Sequence, residues 1–137
     1  MVKLQFNPVP SIRITSSYGN RTHPITKKPQ FHRGIDLGKQ YRNYPLKDPV
    51  FAVSDGTIIK QGYDKNRGNH IYIQHPGYIS LYQHLHSYFT KPGYKVKAGQ
   101  IIGLMGSTGD STADHLHFEI LMENYYAIDP EPYLIKE

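Results

Sequence analysis

Residues 114–120 read Asp-His-Leu-His-Phe-Glu-Ile, a stretch in which polar and apolar side chains alternate. Successive side chains of a β-strand point to opposite faces, so the alternation predicts a strand with one face in a core. The apolar face carries Leu116, Phe118 and Ile120. His115, His117 and Glu119 share the other face, where the two imidazoles stand about 7 Å apart along the backbone. The two histidines can therefore serve one site, and an exposed strand with incidental histidines is the alternative.

Short apolar stretches rich in Val, Ile and Tyr recur through the chain, and Gly, Pro, Asn and Asp separate them. This pattern predicts a mostly β protein, since no window holds a helical stripe for three turns. The predicted strands are residues 49–53, 57–63, 70–75, 78–84, 100–105 and 115–121. Turn signals at residues 55–56, 65–69 and 76–77 favour antiparallel pairing, because parallel strands need long crossovers. We expect the proline-rich first forty residues to form a long loop wrapped on the sheet.

The length and composition are those of one folded domain. The chain has 137 residues, of which 38% are hydrophobic and 20% charged, so we expect a single domain over residues 1–137. No apolar run reaches the ~18–20 residues of a membrane span, which predicts no membrane insertion. Residues 1–10 show neither the apolar segment nor the cleavage site of a signal peptide.

Cysteine is absent, whereas the chain contains 8 histidines. The missing thiols exclude a disulfide framework and a cysteine nucleophile, so any metal site must use histidine and carboxylate. Sixteen Lys and Arg against 11 Asp and Glu give a net charge of +5, which favours polyanionic partners such as nucleic acid, a membrane surface or an anionic cell wall. We expect no nucleic-acid partner, because neither a recognition helix nor an aromatic RNA-binding motif is present.

Residues 31–38 read Phe-His-Arg-Gly-Ile-Asp-Leu-Gly and contain a second candidate pair of ligands, His32 and Asp36. A straight strand would separate these two residues by about 13 Å. Ligands of one zinc ion must lie within a few ångströms of each other, so the chain has to turn between them. Gly34 permits such a bend at low steric cost. An ordinary loop histidine is the alternative.

Together, His32, Asp36 and one histidine of His115 and His117 form a candidate set of two histidines and a carboxylate. This set suits zinc, and three protein ligands leave a fourth position for water, as in catalytic zinc sites. The remaining histidine and His84 are then available to move protons.

Further motifs accompany these residues in a fixed order along the chain. They are Ser17-Tyr18-Gly19, Arg21-Thr22-His23-Pro24, residues 31–38, Asp55-Gly56, residues 68–75 (GNHIYIQH), 81–85 (LYQHL), 96–109 (VKAGQIIGLMGSTG) and 115–120 (HLHFEI), and Asp129-Pro130. In order and spacing they resemble the lysostaphin/LytM-type zinc endopeptidases, which cut peptide cross-bridges in bacterial peptidoglycan. The resemblance implies an all-β fold of mainly antiparallel sheets with long loops that wall a groove. Its core would be of the glucose-permease-domain or lipoyl-like kind.

The resemblance also implies roles for five residues. His32, Asp36 and His117 would bind one Zn²⁺ per chain, and His115 and His84 would form the catalytic pair. We expect His115 to take a proton from water and deliver it to the leaving amine. His84 would donate a hydrogen bond to the developing oxyanion.

Other residues are candidates for supporting roles. Asp114 or Glu119 can accept the free N–H of a neighbouring histidine. His23, which the resemblance places near the groove entrance, and Tyr82 and Tyr41 are candidates for contact with the substrate. Residues 111–114 and 39–48 depart from the family pattern, which bears on substrate preference. His70, His75 and His86 are expected to be structural or exposed.

The expected function is zinc-dependent hydrolysis of peptidoglycan cross-bridges or stem peptides by a monomer that acts in the cell wall or periplasm. A catalytically inactive wall-binding or amidase-activating module on the same scaffold is the alternative. Without a visible export signal, we expect a domain of a larger exported protein or a phage-type lytic protein. The bond that is cut stays open at this point: Gly–Gly, or a bond to a D-amino acid or diaminopimelate.

Overall fold

The structure is a computed structural model that describes residues 2–23, 26–40, 46–111 and 113–136. Most regular elements in these residues are strands. They are β1 (Ile14–Ser16), β2 (Gly19–Thr22), β3 (Pro29–His32), β4 (Ile35–Gly38), β5 (Pro49–Phe51), β6 (Gly56–Asp64), β7 (Gly68–His75), β8 (Tyr78–Tyr88), β9 (Lys95–Val96), β10 (Ile101–Met105), β11 (His115–Leu121) and β12 (Ala127–Ile128). Two single-turn 3-10 helices span Glu123–Tyr125 and Glu131–Tyr133. In the described residues, no helix has the length and apolar character that crossing a membrane requires.

One large antiparallel sheet organises the molecule. Its strands follow the order β1-β4-β11-β8-β7-β6-β9, while β10 pairs with β8 and β5, and β12 pairs with β11. Strands β2 and β3 form a separate hairpin. The all-β, antiparallel prediction is confirmed.

The six predicted strands correspond to β5, β6, β7, β8, β10 and β11. Strand β11 has the predicted bounds, whereas β8 runs past its predicted end at His84 to Tyr88. Turns at residues 65–67, within the predicted 65–69, and at 76–77 join β6 to β7 and β7 to β8. Gly77 adopts a φ of +84°, a backbone conformation that favours glycine.

The prediction of a long loop over the first forty residues is wrong in detail. This region contains the four short strands β1 to β4, and β4 lies inside the large sheet beside β11. Each of these strands is only three or four residues long, so none shows an alternating pattern. They form because β2 pairs with β3, β1 with β4, and β4 with the distant β11. Strands this short carry little local signal of such pairing.

The two faces of the large sheet differ in what they bury. On one face Leu116, Phe118 and Ile120 are fully buried in the main core, as the alternation predicts. Burial of side chains of this size contributes roughly 1.5–3 kcal/mol each. The other face carries the row of His115, His117 and Glu119 and continues into a small apolar cluster. That cluster comprises Tyr72, Ile79, Leu81, Leu121 and Ala127.

Candidate metal centre

Strand pairing brings the two predicted ligand segments together. In the register of β4 and β11, Asp36 lies opposite His117. Strand β3 ends at His32 and β4 begins at Ile35, so the chain turns between His32 and Asp36, as the zinc requirement predicts. Gly34 in this turn lies so close to β11 that a Cβ atom would collide with the carbonyl oxygen of Phe118. Close packing is therefore the reason for a glycine at this position.

Three potential ligand atoms converge at this turn. His32 Nε2 lies 3.3 Å from Asp36 Oδ1 and 3.1 Å from His117 Nδ1. His117 Nδ1 lies 2.9 Å from Asp36 Oδ1. Ligands of a tetrahedral zinc ion at 2.0–2.2 Å stand about 3.3–3.6 Å apart. The spacing of the three atoms is therefore close to what one zinc ion requires, and these residues form one group that could hold a metal ion.

The remaining ring nitrogens fix the tautomers of the two histidines. His32 Nδ1 lies 2.9 Å from the carbonyl oxygen of Ser17, to which it can only donate. His117 Nε2 lies 2.8 Å from Glu119 Oε2 and donates to it. The nitrogen that faces Asp36 then carries a lone pair in each neutral ring. Two lone pairs and a carboxylate oxygen directed at one point favour a cation there. Zinc binds such nitrogen and oxygen ligands.

The pKa values of the buried groups follow from the same contacts. Burial disfavours the charged form of His117, but hydrogen bonds to Asp36 and Glu119 prevail and raise the pKa of His117 to about 9. Burial raises the pKa of Asp36, but its contacts with His117 and His32 outweigh this and hold the pKa of that carboxyl far below its usual range. Glu119 is shifted in the same direction, because its contact with His117 outweighs the burial that raises its pKa. Both carboxylates therefore stay ionised beside a position that attracts positive charge.

Glu119 itself is held by two further side chains. Arg33 Nε lies 3.6 Å from Oε1, and the Gln83 amide lies 3.4 Å from Oε2. Asp114 and Glu119 are the two carboxylates predicted to accept a histidine N–H. Glu119 does so, whereas Asp114 pairs with Lys47 at 2.9 Å.

A β-bulge in β8 places His84 beside the group that could hold a metal ion. Tyr82 and Leu85 are fully buried in the core, while both residues between them, Gln83 and His84, line the cavity on the other face. One residue of β7 opposes these two, as in a bulge, and His84 adopts a φ of +66°. Bulges re-aim side chains in this way beside functional sites.

His84 and His115 are anchored alike and point into the same space. His84 Nδ1 lies 2.8 Å from the Thr108 carbonyl oxygen, and His115 Nδ1 lies 2.9 Å from that of Ala113. Their ring centres are 5.0 Å apart. Burial, with smaller contributions from the neighbouring histidines, lowers the pKa of His84 to about 4. With Nδ1–H donated to a carbonyl, Nε2 of a neutral ring presents a lone pair to the site.

A cavity of about 410 Å³ opens over these groups. It is bordered by His32, Asp36, His84, His115 and His117, and its walls include Arg21, His23 and Gln30. The sequence profile described as peptidase family M23 matches residues 30–130, which is more than two thirds of the chain.

The chain belongs to peptidase family M23.

Relatives and solved structures agree with this assignment. The M23 domain is 37% identical over 122 residues to the peptidoglycan DD-endopeptidase ShyC of Vibrio cholerae, covering 88% of this chain and 27% of that protein. A zinc-containing peptidase from Vibrio cholerae superposes with a TM-score of 0.81 at 33% identity, covering 98% of this chain and 40% of that one. For the catalytic domain of lysostaphin from Staphylococcus simulans the TM-score is 0.76 at 36% identity, with 89% and 91% covered. The chain spans about a quarter of the length of the curated relatives it matches.

The three residues predicted to contact substrate have different outcomes. His23 lines the cavity of the M23 domain. Tyr82 is fully buried, and its hydroxyl accepts a hydrogen bond from Val53 N at 3.2 Å, so the prediction that Tyr82 contacts substrate is wrong. The physical reason is the bulge, which turns His84 to the site and leaves Tyr82 in the core. Tyr41 lies outside the described residues.

Sequence reasoning missed two features of the M23 site. The backbone carbonyls that anchor His32, His84 and His115 leave no trace in residue types. Arg21 lines the cavity from β2, a strand too short to show a pattern, and only the register of the hairpin reveals its position. The other histidines have the ordinary places expected of them: His70 and His75 are buried, and His86 is exposed.

Proposed function

We propose that this M23 domain is a zinc-dependent endopeptidase that hydrolyses peptide bonds of bacterial peptidoglycan. The convergence of His32 Nε2, Asp36 Oδ1 and His117 Nδ1 beside two anchored histidines carries the proposal. Relatives described as peptidoglycan DD-endopeptidases support the choice of substrate. Its place of action would be the cell wall or periplasm, where peptidoglycan lies.

The three convergent side chains would hold one Zn²⁺ per chain. Zinc in such a site lowers the pKa of a bound water to about 7 and polarises a carbonyl. Asp36 would contribute negative charge, and the Ser17 carbonyl and Glu119 anchor the two imidazoles so that their other nitrogens could bind the ion. One chain supplies every residue of the group, which supports function as a monomer.

His115 would move the proton that peptide hydrolysis requires. Its Nδ1 is held by the Ala113 carbonyl and the Ser111 hydroxyl, at 2.9 and 3.2 Å. Its Nε2 faces the cavity, 3.7 Å from Asp36 Oδ1. In the proposed reaction this nitrogen takes a proton from the attacking water and delivers it to the leaving amine. Neutral imidazole suits both transfers, since its ordinary pKa lies near 6.5.

His84 would act at the substrate oxygen. Its protonation state sets a condition that the sequence did not suggest. A neutral His84, anchored through Nδ1, offers an acceptor at Nε2, and its lowered pKa favours this form at neutral pH. Donation to an oxyanion therefore requires the protonated form of His84, in which Nε2 also carries a hydrogen. His23, on the cavity wall, is the candidate for contact with the substrate backbone.

The inactive wall-binding module is the weaker proposal for this chain. A module without catalysis has no need for all five of the metal and catalytic residues, and here they lie around one cavity. We therefore retain hydrolysis as the proposed function.

Mass spectrometry of muropeptides tests the proposal. Purified domain is incubated with walls of several cross-bridge types, with and without a chelator. We expect soluble fragments newly cleaved at one type of peptide bond, and none with chelator. His117→Ala should lose both zinc and cleavage, whereas His115→Ala should keep zinc and lose at least about 100-fold in rate, as loss of a general acid–base does. Release that persists unchanged after zinc removal would overturn the proposal.

A further inference from the structure

The β2–β3 hairpin carries a cationic side chain to the cavity beside the proposed metal site. Arg21 pairs with Gln30, and Gly19 pairs with His32. Cross-strand partners lie on the same face of a sheet, as do residues two apart along a strand. Arg21, Gln30 and His32 therefore share one face, and all three line the cavity. Gln30 stands about 7 Å from His32 along β3, within reach of a substrate residue next to the scissile bond.

Arg21 is half-buried and only partly satisfied. The Ser16 hydroxyl accepts a hydrogen bond from one terminal nitrogen at 2.6 Å. The buried Nε has no hydrogen-bond partner, the only such side-chain atom in the part of the chain that the structure describes. No carboxylate of those residues forms an ion pair with the Arg21 guanidinium, whereas Arg67 pairs with Asp64 at 2.7 Å. A partly buried guanidinium that faces no anion has lost solvation without an ion pair in return, so its remaining donors favour an anion from outside.

The second arginine of the cavity wall is engaged differently. Arg33 contacts Glu119 at 3.6 Å and donates to the Tyr125 carbonyl at 3.0 Å. Its charge is thus directed at the carboxylate that supports His117. Of the two arginines that line the cavity in the described residues, Arg21 is the one without a carboxylate partner.

We infer that Arg21 binds a free carboxylate of the substrate beside the scissile bond, and so selects peptides whose leaving amine carries a carboxylate on the adjacent carbon. This inference rests on the proposed function. A guanidinium matches a carboxylate in geometry and can hold it through two parallel hydrogen bonds. Within peptidoglycan, a bond to diaminopimelate has such a carboxylate next to the scissile nitrogen, whereas the middle of a glycine bridge has none. Arg21 therefore favours the diaminopimelate type of cross-link.

Two matched substrates test the inference on the unaltered protein. They are cross-linked muropeptide dimers whose diaminopimelate carries either a free carboxylate or a carboxamide beside the scissile nitrogen. We expect kcat/KM of the zinc-loaded domain to be about 10- to 100-fold higher for the free carboxylate, the loss that removal of a charged hydrogen bond produces. Equal kcat/KM values for the two dimers would overturn the inference.

Variants at residue 21 assign the preference to this side chain. Arg21→Gln should cut kcat/KM for the carboxylate dimer about 10- to 100-fold and leave that for the amidated dimer within about threefold. Arg21→Lys should retain part of the preference, because the charge remains and the fork is lost. Lys97→Gln removes the same charge from a side chain that is 86% exposed and should change neither value. Zinc content and melting temperature are recorded for each variant to verify folding.

The outcomes distinguish this inference from the proposed function. Loss of activity on both dimers by a folded, zinc-loaded Arg21→Gln variant would contradict carboxylate recognition, since it would mark Arg21 as a general positioning residue. Failure of the unaltered, zinc-loaded domain to cleave any wall or dimer would instead overturn the proposed function. Cleavage of both dimers with equal efficiency leaves the endopeptidase proposal intact and refutes the inference alone.

Discussion

At the scale of single residues, the centre is defined by where each ring nitrogen is anchored. Four histidines each direct one nitrogen to a carbonyl or carboxylate, which in the neutral ring leaves the other nitrogen with its lone pair toward the cavity. The anchors differ in kind, because His117 alone uses a carboxylate, Glu119. A carboxylate partner raises the basicity of a ligand imidazole and strengthens its bond to a metal.

Glu119→Gln tests this support. Glutamine can still accept the His117 N–H but lacks the negative charge, so we expect zinc affinity to fall about 10- to 100-fold. Competition with a chromophoric chelator measures the change. Glu123→Gln, on an exposed side chain, is the control and should bind zinc like the unaltered domain. Unchanged affinity in Glu119→Gln would show that the carboxylate does not tune the site.

At the scale of elements, the site depends on two departures from regular strands: the turn between β3 and β4 and the bulge in β8. The first was predictable from sequence, because His32 and Asp36 can share one ion only if the chain turns. The bulge was not predictable. Strict alternation would put Tyr82 and His84 on one face, and the extra residue separates them. Nothing in the local residue types signals this, since the bulge is set by pairing with β7.

The strands of the first forty residues could not be predicted from sequence for a related reason. Strand β4 has only four residues, and its place beside β11 comes from a pairing across more than 75 positions of the chain. By contrast, β11 was predictable in full, because its apolar side chains, such as Leu116 and Phe118, alternate with polar ones over residues 115–120. Spacing thus indicated His32, Asp36 and one of His115 and His117 as candidate ligands, and only the family resemblance favoured His117, whereas the orientation of each side chain depended on long-range contacts.

Gly34→Ala tests the turn that joins the two ligand strands. The added methyl group would collide with the Phe118 carbonyl, so we expect a loss of roughly 1–3 kcal/mol in the free energy of unfolding, together with weaker zinc binding. Gly62→Ala is the matched control within β6, where a Cβ meets no atom within 4 Å. Its unfolding free energy should stay within about 1 kcal/mol of the unaltered domain. Urea denaturation of both variants measures the free energy of unfolding, and equal values would contradict the packing argument.

At the scale of the whole molecule, a buried polar chain ties the far side of the sheet together. His75 lies 2.9 Å from the Asp55 carbonyl oxygen and 2.7 Å from Ser80 Oγ. Ser80 lies 2.9 Å from the Tyr82 hydroxyl, which accepts from Val53 N. Burial lowers the pKa of His75, and the hydrogen bond to Asp55 opposes this only in part. The folded protein therefore favours neutral His75.

This shift predicts a pH dependence of stability. Unfolded, His75 has an ordinary pKa near 6.5, so below that pH the unfolded chain binds the proton more readily than the folded one. The stabilisation is complete above about pH 6.5 and is lost as the pH falls towards the lower pKa of the folded state. The difference in unfolding free energy between the unaltered domain and His75→Gln should therefore be larger at pH 8 than at pH 5.

Urea denaturation at pH 5, 6, 7 and 8 measures this difference. His86→Gln, on an exposed side chain, is the control and should stay within about 0.5 kcal/mol of the unaltered domain at each pH. Zinc loss at low pH affects all three proteins alike and cancels in the comparison. A difference between the unaltered domain and His75→Gln that does not change with pH would contradict the buried neutral state.

The whole domain is proposed to be a peptidase that works with one zinc ion held by His32, Asp36 and His117. Titration of zinc into metal-stripped domain, with cleavage of cross-linked muropeptides followed at each step, tests this most directly. We predict no cleavage without metal and a rise in rate that levels off at one zinc per chain. Cleavage at full rate by the metal-stripped domain, or a plateau that requires two zinc ions per chain, would contradict the account.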